Sequence, residues 1–123
     1  MLSSMAIDYA NRSVLCWLAT CDAQGQPNVS PKEVFAPLHD RHLLIANIAS
    51  PVSARNIELH PRVCVSFVDV FVQKGCKLIG SARNLKPGAA EYAQHAAPLE
   101  AMVQGLFEIR SVFVVEVTAA RAG

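Results

Sequence analysis

The stretch that decides the fold is PNVSPKEVF, residues 27–35. Alternation along it puts Asn28, Ser30, Lys32 and Val34 on one face, and Val29, Glu33 and Phe35 on the other. Pro31 interrupts that pattern. It donates no ladder hydrogen bond and belongs in an edge strand or a bulge. Two opposite charges follow it directly. The residues alone allow two readings. One is a solvated strand edge. The other is a strand that stops pairing beside a ligand, with Lys32 at a bound anion and Glu33 in a local ion pair.

Outward from this stretch, VLCWLAT (14–20) is a run of strand formers, and CDAQGQP (21–27) is a turn with Asp, Gly and Pro where a hairpin needs them. LHDRH (38–42) is a second turn and LLIANIA (43–49) a strand. Residues 14–49 therefore read as a three-stranded antiparallel meander. SPVSARNIELHP (50–61) changes character. Ser50 suits an N-cap, Pro51 suits the first helical turn, and Pro61 ends the helix at His60. Val52, Ile57 and Leu59 are its expected core residues. RVCVSFVDVFV (62–72), CKLIGSARNL (76–85) and RSVFVVEVTAA (110–120) are further strands, with Gly80 at a bulge or close approach. SSMAIDYANRS (3–13) reads as a short serine-capped helix, and the alanine-rich 86–107 as helix divided at Pro98. Six strands, small helices and no repeated βαβ unit predict a mainly β fold. The expectation is one domain over residues 1–123, a six-stranded antiparallel barrel whose closure removes exposed edges.

The chain is 52% hydrophobic and only 17% charged, which points to apolar surface hidden in an oligomer. A net charge of +1 without a Lys/Arg cluster gives no footprint for nucleic acid. No run approaches the roughly 20 apolar residues of a membrane span, and the N-terminus lacks a basic n-region. A cytoplasmic protein is expected. Cys16, Cys21, Cys64 and Cys76 lack CxxC spacing and read as free thiols; His39, His42, His60 and His95 are scattered, so no metal site is expected. Trp17 is expected in the core. No Ser–His–Asp or Cys–His signature is present, and no catalytic residue is assigned.

Chemistry concentrates at ASPVSARN (49–56). A helix N-terminus there offers N–H groups and the positive end of its dipole, Ser50 and Ser53 add hydroxyls, and Arg55 adds a bidentate fork. These suit a phosphate monoester. On local sequence alone, a capped helix with an exposed arginine is the simpler reading. If the ligand reading holds, residues 30–32 and this helix lie together on one side of the barrel. Lys74 and Lys77 flank a glycine turn, which reads as an ordinary loop, a subunit contact or a ligand rim.

Three segments, LATCDAQGQPNVSPKEVF, LLIANIASPVSARNIELHPRVCVSF and FVQKGCKLIGSAR, together resemble the pyridoxamine 5'-phosphate oxidase-like FMN-binding split barrels, above all their small single-domain members. The resemblance covers most of residues 14–85 and extends to the last strand. It implies a homodimer of six-stranded split barrels with FMN at the subunit interface. Ser53, Arg55 and Asn56 would meet the phosphate, with Ser50 nearby. Ser30, Pro31 and Lys32 would line the flavin or its ribityl chain, and Ala46, Asn47, Ile48 and Ala49 would run past the ring. Lys32 near the pyrimidine end would stabilise the negative charge of the reduced ring. Many relatives carry a phosphate-binding lysine where this chain has Val52 or Ala54, which leaves that work to Arg55. The C-terminal portion that binds substrate in pyridoxamine phosphate oxidases is not found, so vitamin B6 oxidation is not the expected reaction. Three functions remain open: an FMN-dependent oxidoreductase acting on a small molecule, a flavin-binding electron carrier, and a relative that binds a deazaflavin, haem or no cofactor.

Overall fold

The computed structural model describes residues 4–12 and 15–122. The elements in order are α1 (Ser4–Arg12), β1 (Cys16–Cys21), β2 (Pro27–Lys32), β3 (Phe35–Leu38), β4 (His42–Asn47), α2 (Pro51–Leu59), β5 (Arg62–Asp69), β6 (Lys74–Leu85), α3 (Tyr92–Val103) and β7 (Ser111–Ala122). The strands form one antiparallel sheet in the order β2-β1-β5-β6-β7-β4-β3. It curls around a core of inward side chains, among them Leu18, Phe35, Ile45, Val65, Phe67, Leu78 and Phe113. Each fully buried side chain of this size stabilises the fold by about 2 kcal/mol relative to exposure.

The strand count differs from the expected six. Residues 27–38 form two strands that occupy opposite edges of the sheet, because the chain bends at Glu33 and Val34 between them. β2 pairs with β1, and β3 pairs with β4. The bend also changes the alternation. Lys32 and Phe35 both point inward, three residues apart, and Val34 packs into a second apolar cluster. One extra residue at a kink shifts every later side chain to the other face. The expectation that Phe35 opposes Lys32 is corrected for this reason. The ends of the bend are tied to β4 by Ala46 N–H donating to Val34 O at 2.9 Å.

The second cluster lies outside the curled sheet. There α3 covers the β4–β7–β6 face through Ala96, Leu99 and Val103 against Leu44, Val112 and Val114. α3 runs unbroken through Pro98, contrary to the expected division. Pro98 is exposed, so water can satisfy the Gln94 carbonyl that loses its helical partner. Gly80 sits where the β6–β7 register shifts, as expected; a Cβ there would lie 2.2 Å from Glu116 O. In the Asp22 turn, Gly25 adopts φ +83° and Asp22 Oδ1 accepts hydrogen bonds from the N–H groups of Gln24 and Gln26. The turn between β5 and β6 is made by residues 70–73, with Gln73 at φ 56°, and Gly75 lies inside β6 rather than in a turn.

Three expected core residues face solvent instead. Trp17 is 42% exposed because Cys16, Leu18 and Thr20 take the inward positions of β1. On α2, Ser53, Asn56 and Ile57 are buried, and Val52 and Leu59 are exposed. Residues 3 and 13 of the expected first helix, and Val14 of the expected first strand, lie outside the described residues. Among the described residues no helix is long and apolar enough to cross a membrane.

Candidate functional site

Where the chain bends out of β2, its wall meets the turn that leads from β4 into α2. A concavity of about 290 Å³ lies between them, lined by Pro31, Lys32, Glu33, Val34, Ala46, Ile48, Ala49, Ser50 and Phe107. Its walls are mostly apolar. The polar exceptions are Lys32, Glu33 and Ser50, and of these Lys32 is buried, only 6% exposed. Inward alternation of β2 forces that burial, and the cross-strand neighbour is the Cys16 thiol. Lys32 Nζ donates a hydrogen bond to Ser50 Oγ and lies 5.9 Å from the centroid of the Phe113 ring. Burial lowers the Lys32 pKa from its ordinary value. Cys16 is pushed up to about 12, chiefly by burial, with a smaller opposing pull from Lys32, so it is a neutral thiol at neutral pH.

Ser50 occupies the N-cap of α2, yet its hydroxyl makes no cap hydrogen bond to the helix; it accepts from Lys32 instead. No acidic residue stands in the first turn of α2. The positive end of the helix dipole and a lysine amine therefore converge beside one cavity. The expected local ion pair of Glu33 is not formed among the described residues: Glu33 is exposed at the cavity rim, and no described carboxylate lies within 4.0 Å of Lys32 Nζ.

A second polar group lies close by and differs in kind. Asn47 Oδ1 accepts the Ser50 N–H at 3.0 Å, and its Nδ2 donates to Ser111 Oγ at 2.9 Å. Arg110 adds two bonds, from its N–H to Asn47 O at 2.8 Å and from Nε to Ile48 O at 3.1 Å. This clamp fixes the β4–α2 turn. Beneath α2, Ser53 Oγ meets Ser30 Oγ at 3.2 Å and Asn28 Nδ2 at 3.4 Å, and Asn56 Nδ2 donates to Thr20 Oγ1 at 3.0 Å.

Of the expected site residues, the structure thus brings Pro31, Lys32, Ala46, Ile48, Ala49 and Ser50 to one cavity. Ser30, Asn47, Ser53 and Asn56 are engaged in the fold's own hydrogen bonds, and Arg55 projects from the exposed side of α2. Strand 27–32 and α2 do lie together, as the ligand reading requires. Phe107 was not foreseen at the cavity. It comes from the loop after α3, and only the path of that loop brings it to residues 31–34. Lys74 and Lys77 are exposed on β6, away from this cavity.

Residues 6–122 match the family model for pyridoxamine 5'-phosphate oxidase. No curated protein sequence matches the chain. Among solved structures, HupZ of Group A Streptococcus is similar with a TM-score of 0.81 at 25% identity, over 98% of this chain and 92% of its own. An FMN-binding protein from Syntrophomonas wolfei has a TM-score of 0.79 at 11% identity, over 95% of this chain and 82% of its own. HutZ, a haem storage protein of Vibrio cholerae, has a TM-score of 0.72 at 24% identity, over 100% and 96%. The last two likenesses concern the fold.

Proposed function

Because the chain belongs to the pyridoxamine 5'-phosphate oxidase family, we propose that it is an FMN-binding flavoprotein, acting as an oxidoreductase on a small molecule. The observation that carries this reading is the convergence of Lys32, Ser50 and the α2 N-terminus on a largely apolar cavity. FMN has the matching chemistry: an anionic phosphate for the cationic end and a flat ring for the apolar walls. When bound, FMN would supply electron transfer, and the protein's part is to bind, orient and shield it. Lys32 and Ser50 would hold an anionic group. Ala46, Ile48 and Ala49 would form the apolar wall, and Asn47 would keep the turn in place.

The site is built to be shared. At about 290 Å³ the cavity is near the lower limit of ligand pockets, about 300 Å³. Pro31 lines it and also faces outward, opposite Trp17 in the β1–β2 register, with Val29 57% exposed alongside. A second copy of the chain seated on this apolar patch would border the cavity and enlarge it. We therefore read the protein as a homodimer with FMN at the interface.

A haem reading has one observation in its favour. His39, His42 and His95 line a separate cavity of about 200 Å³ beside Arg83. That cavity is smaller than the one beside Lys32, and haem is a larger group than the flavin ring. Flavin is the better reading. Adding FMN to the purified protein tests it. At a hundredfold excess over Kd, FMN raises stability by about 2.7 kcal/mol, seen as a higher Tm, and its absorption spectrum shifts on binding. An unchanged Tm and an unperturbed FMN spectrum would sink the reading. A shifted and sharpened Soret band on adding haem instead would favour the alternative.

A further inference from the structure

Lys32 is the one buried amine in the cavity, and among the described residues its surroundings give it no counter-charge. From β1 it faces the Cys16 thiol, neutral because its pKa is about 12. From the β4–α2 turn it faces the Ser50 hydroxyl, and from β7 the Phe113 ring. From its own segment the nearest acid is Glu33, which is exposed at the rim and makes no ion pair with it. Behind Ser50 stands the positive end of α2, with no acidic residue in its first turn. An ammonium in such a place is costly, and an anion placed beside it removes the cost.

We propose that Lys32 and Ser50 form a proton-linked anion receptor, in which an anionic group of the flavin pairs with Lys32 Nζ and draws one proton from solvent onto the amine. The proposal rests on the flavin reading. The proton balance is simple: an amine that is neutral in the empty cavity gains one proton, becomes an ammonium and pairs with the incoming anion, and no other bond changes. Two groups of FMN could supply the charge, the phosphate or the reduced ring, and the chemistry at Lys32 is the same for both. The sign follows from linkage. Burial lowers the amine's pKa in the empty cavity and the anion raises it on binding, so affinity falls as pH rises between those two values.

The test measures FMN affinity from neutral pH to the ordinary lysine pKa of about 10.4, with calorimetry in two buffers of different ionisation heat. The expected result is net proton uptake on FMN binding, at most one per FMN, and an affinity that falls as pH rises within the window. Lys32→Met, and Lys32→Arg, whose charge does not titrate, should both lose this component. Titration of the flavin ring itself is common to all three proteins and cancels in the comparison. Uptake with oxidised FMN but not with riboflavin assigns the charge to the phosphate. Uptake only with dithionite-reduced FMN assigns it to the ring. Uptake with oxidised riboflavin, which carries no anion at neutral pH, overturns the proposal. So does FMN binding without proton uptake, or with the same pH slope in wild type and variants. Failure of FMN to bind at all overturns the flavin reading together with it, and is told apart by the absence of any heat or spectral change.

Discussion

The two polar groups around the start of α2 are equally buried and opposite in character. Asn47, with Ser111 and the Ser50 N–H, is closed: each donor meets an acceptor from the protein. Asn56 with Thr20 is closed in the same way. Lys32 with Ser50 is open, since a buried amine meets a hydroxyl and, among the described residues, no negative charge. Closed groups hold a fold together because removing one partner strands the other in a dry place. An open group does the reverse. It costs stability in the empty protein and returns that cost when a ligand completes it. This distinction, more than burial, separates structure from function here.

The comparison is most easily broken at Asn47. Asn47→Leu strands the Ser50 N–H and Ser111 Oγ, and should cost about 3 kcal/mol of stability. The expected drop in Tm is about 10 °C, measured by thermal unfolding without ligand. A loss of under about 1 kcal/mol would mean that water replaces the clamp, and Asn47 would no longer count as closed. Asn56→Ala is the smaller version. It leaves Thr20 Oγ1, which is buried, without its donor, and should cost about 1.5 kcal/mol by urea unfolding.

The same distinction explains what could be read from the sequence. The strands, the short α2 and the bulge at Gly80 were legible because alternation, Pro51, Pro61 and a lone glycine in a strand each have local causes. The segments that build the cavity were legible too, from 30–32 and 46–50. What was not legible was the division between open and closed groups. Ser53 by its hydroxyl, and Asn56 by the family resemblance, are expected at the phosphate, yet residues 25 and 36 positions away engage them. Trp17 looks like core until β1 is phased against β5, which gives the inward row to Cys16 and Leu18. The bend at Glu33 hides a strand boundary because neither Glu33 nor Val34 is a glycine or proline, and alternation reads on across them. Pairing across the sheet decides these points, and no local pattern encodes it.

Lys32→Met sharpens the comparison from the open side. Replacing an unpaired buried amine with an apolar side chain of similar length should stabilise the ligand-free protein by about 1 kcal/mol or more. FMN binding should weaken in the same variant. Stability against pH gives a second readout. The folded-state pKa of Lys32 is depressed, so the unfolded chain binds the proton more tightly. Wild-type stability should therefore rise with pH from that depressed value up to about 10.4, and Lys32→Met should lack this rise. A variant less stable than wild type without ligand would place Lys32 among the closed, structural groups.

The smallest expected effect is at Arg55, and it divides the two ways of placing an anion. Arg55 is exposed on α2, and an exposed charge is worth little because solvent screens it. Arg55→Ala should leave stability within about 0.5 kcal/mol of wild type. If Lys32 and Ser50 carry the anion, FMN affinity should fall by about fivefold or less, the range of an exposed ion pair. A loss of a hundredfold or more would require Arg55 to be desolvated in the complex. The phosphate would then sit on the outer side of α2, and the open group at Lys32 would be left to face the ring alone. Measuring Arg55→Ala and Lys32→Met with FMN and riboflavin in parallel separates these cases. A phosphate contact is lost only with FMN, and a ring contact is lost with both.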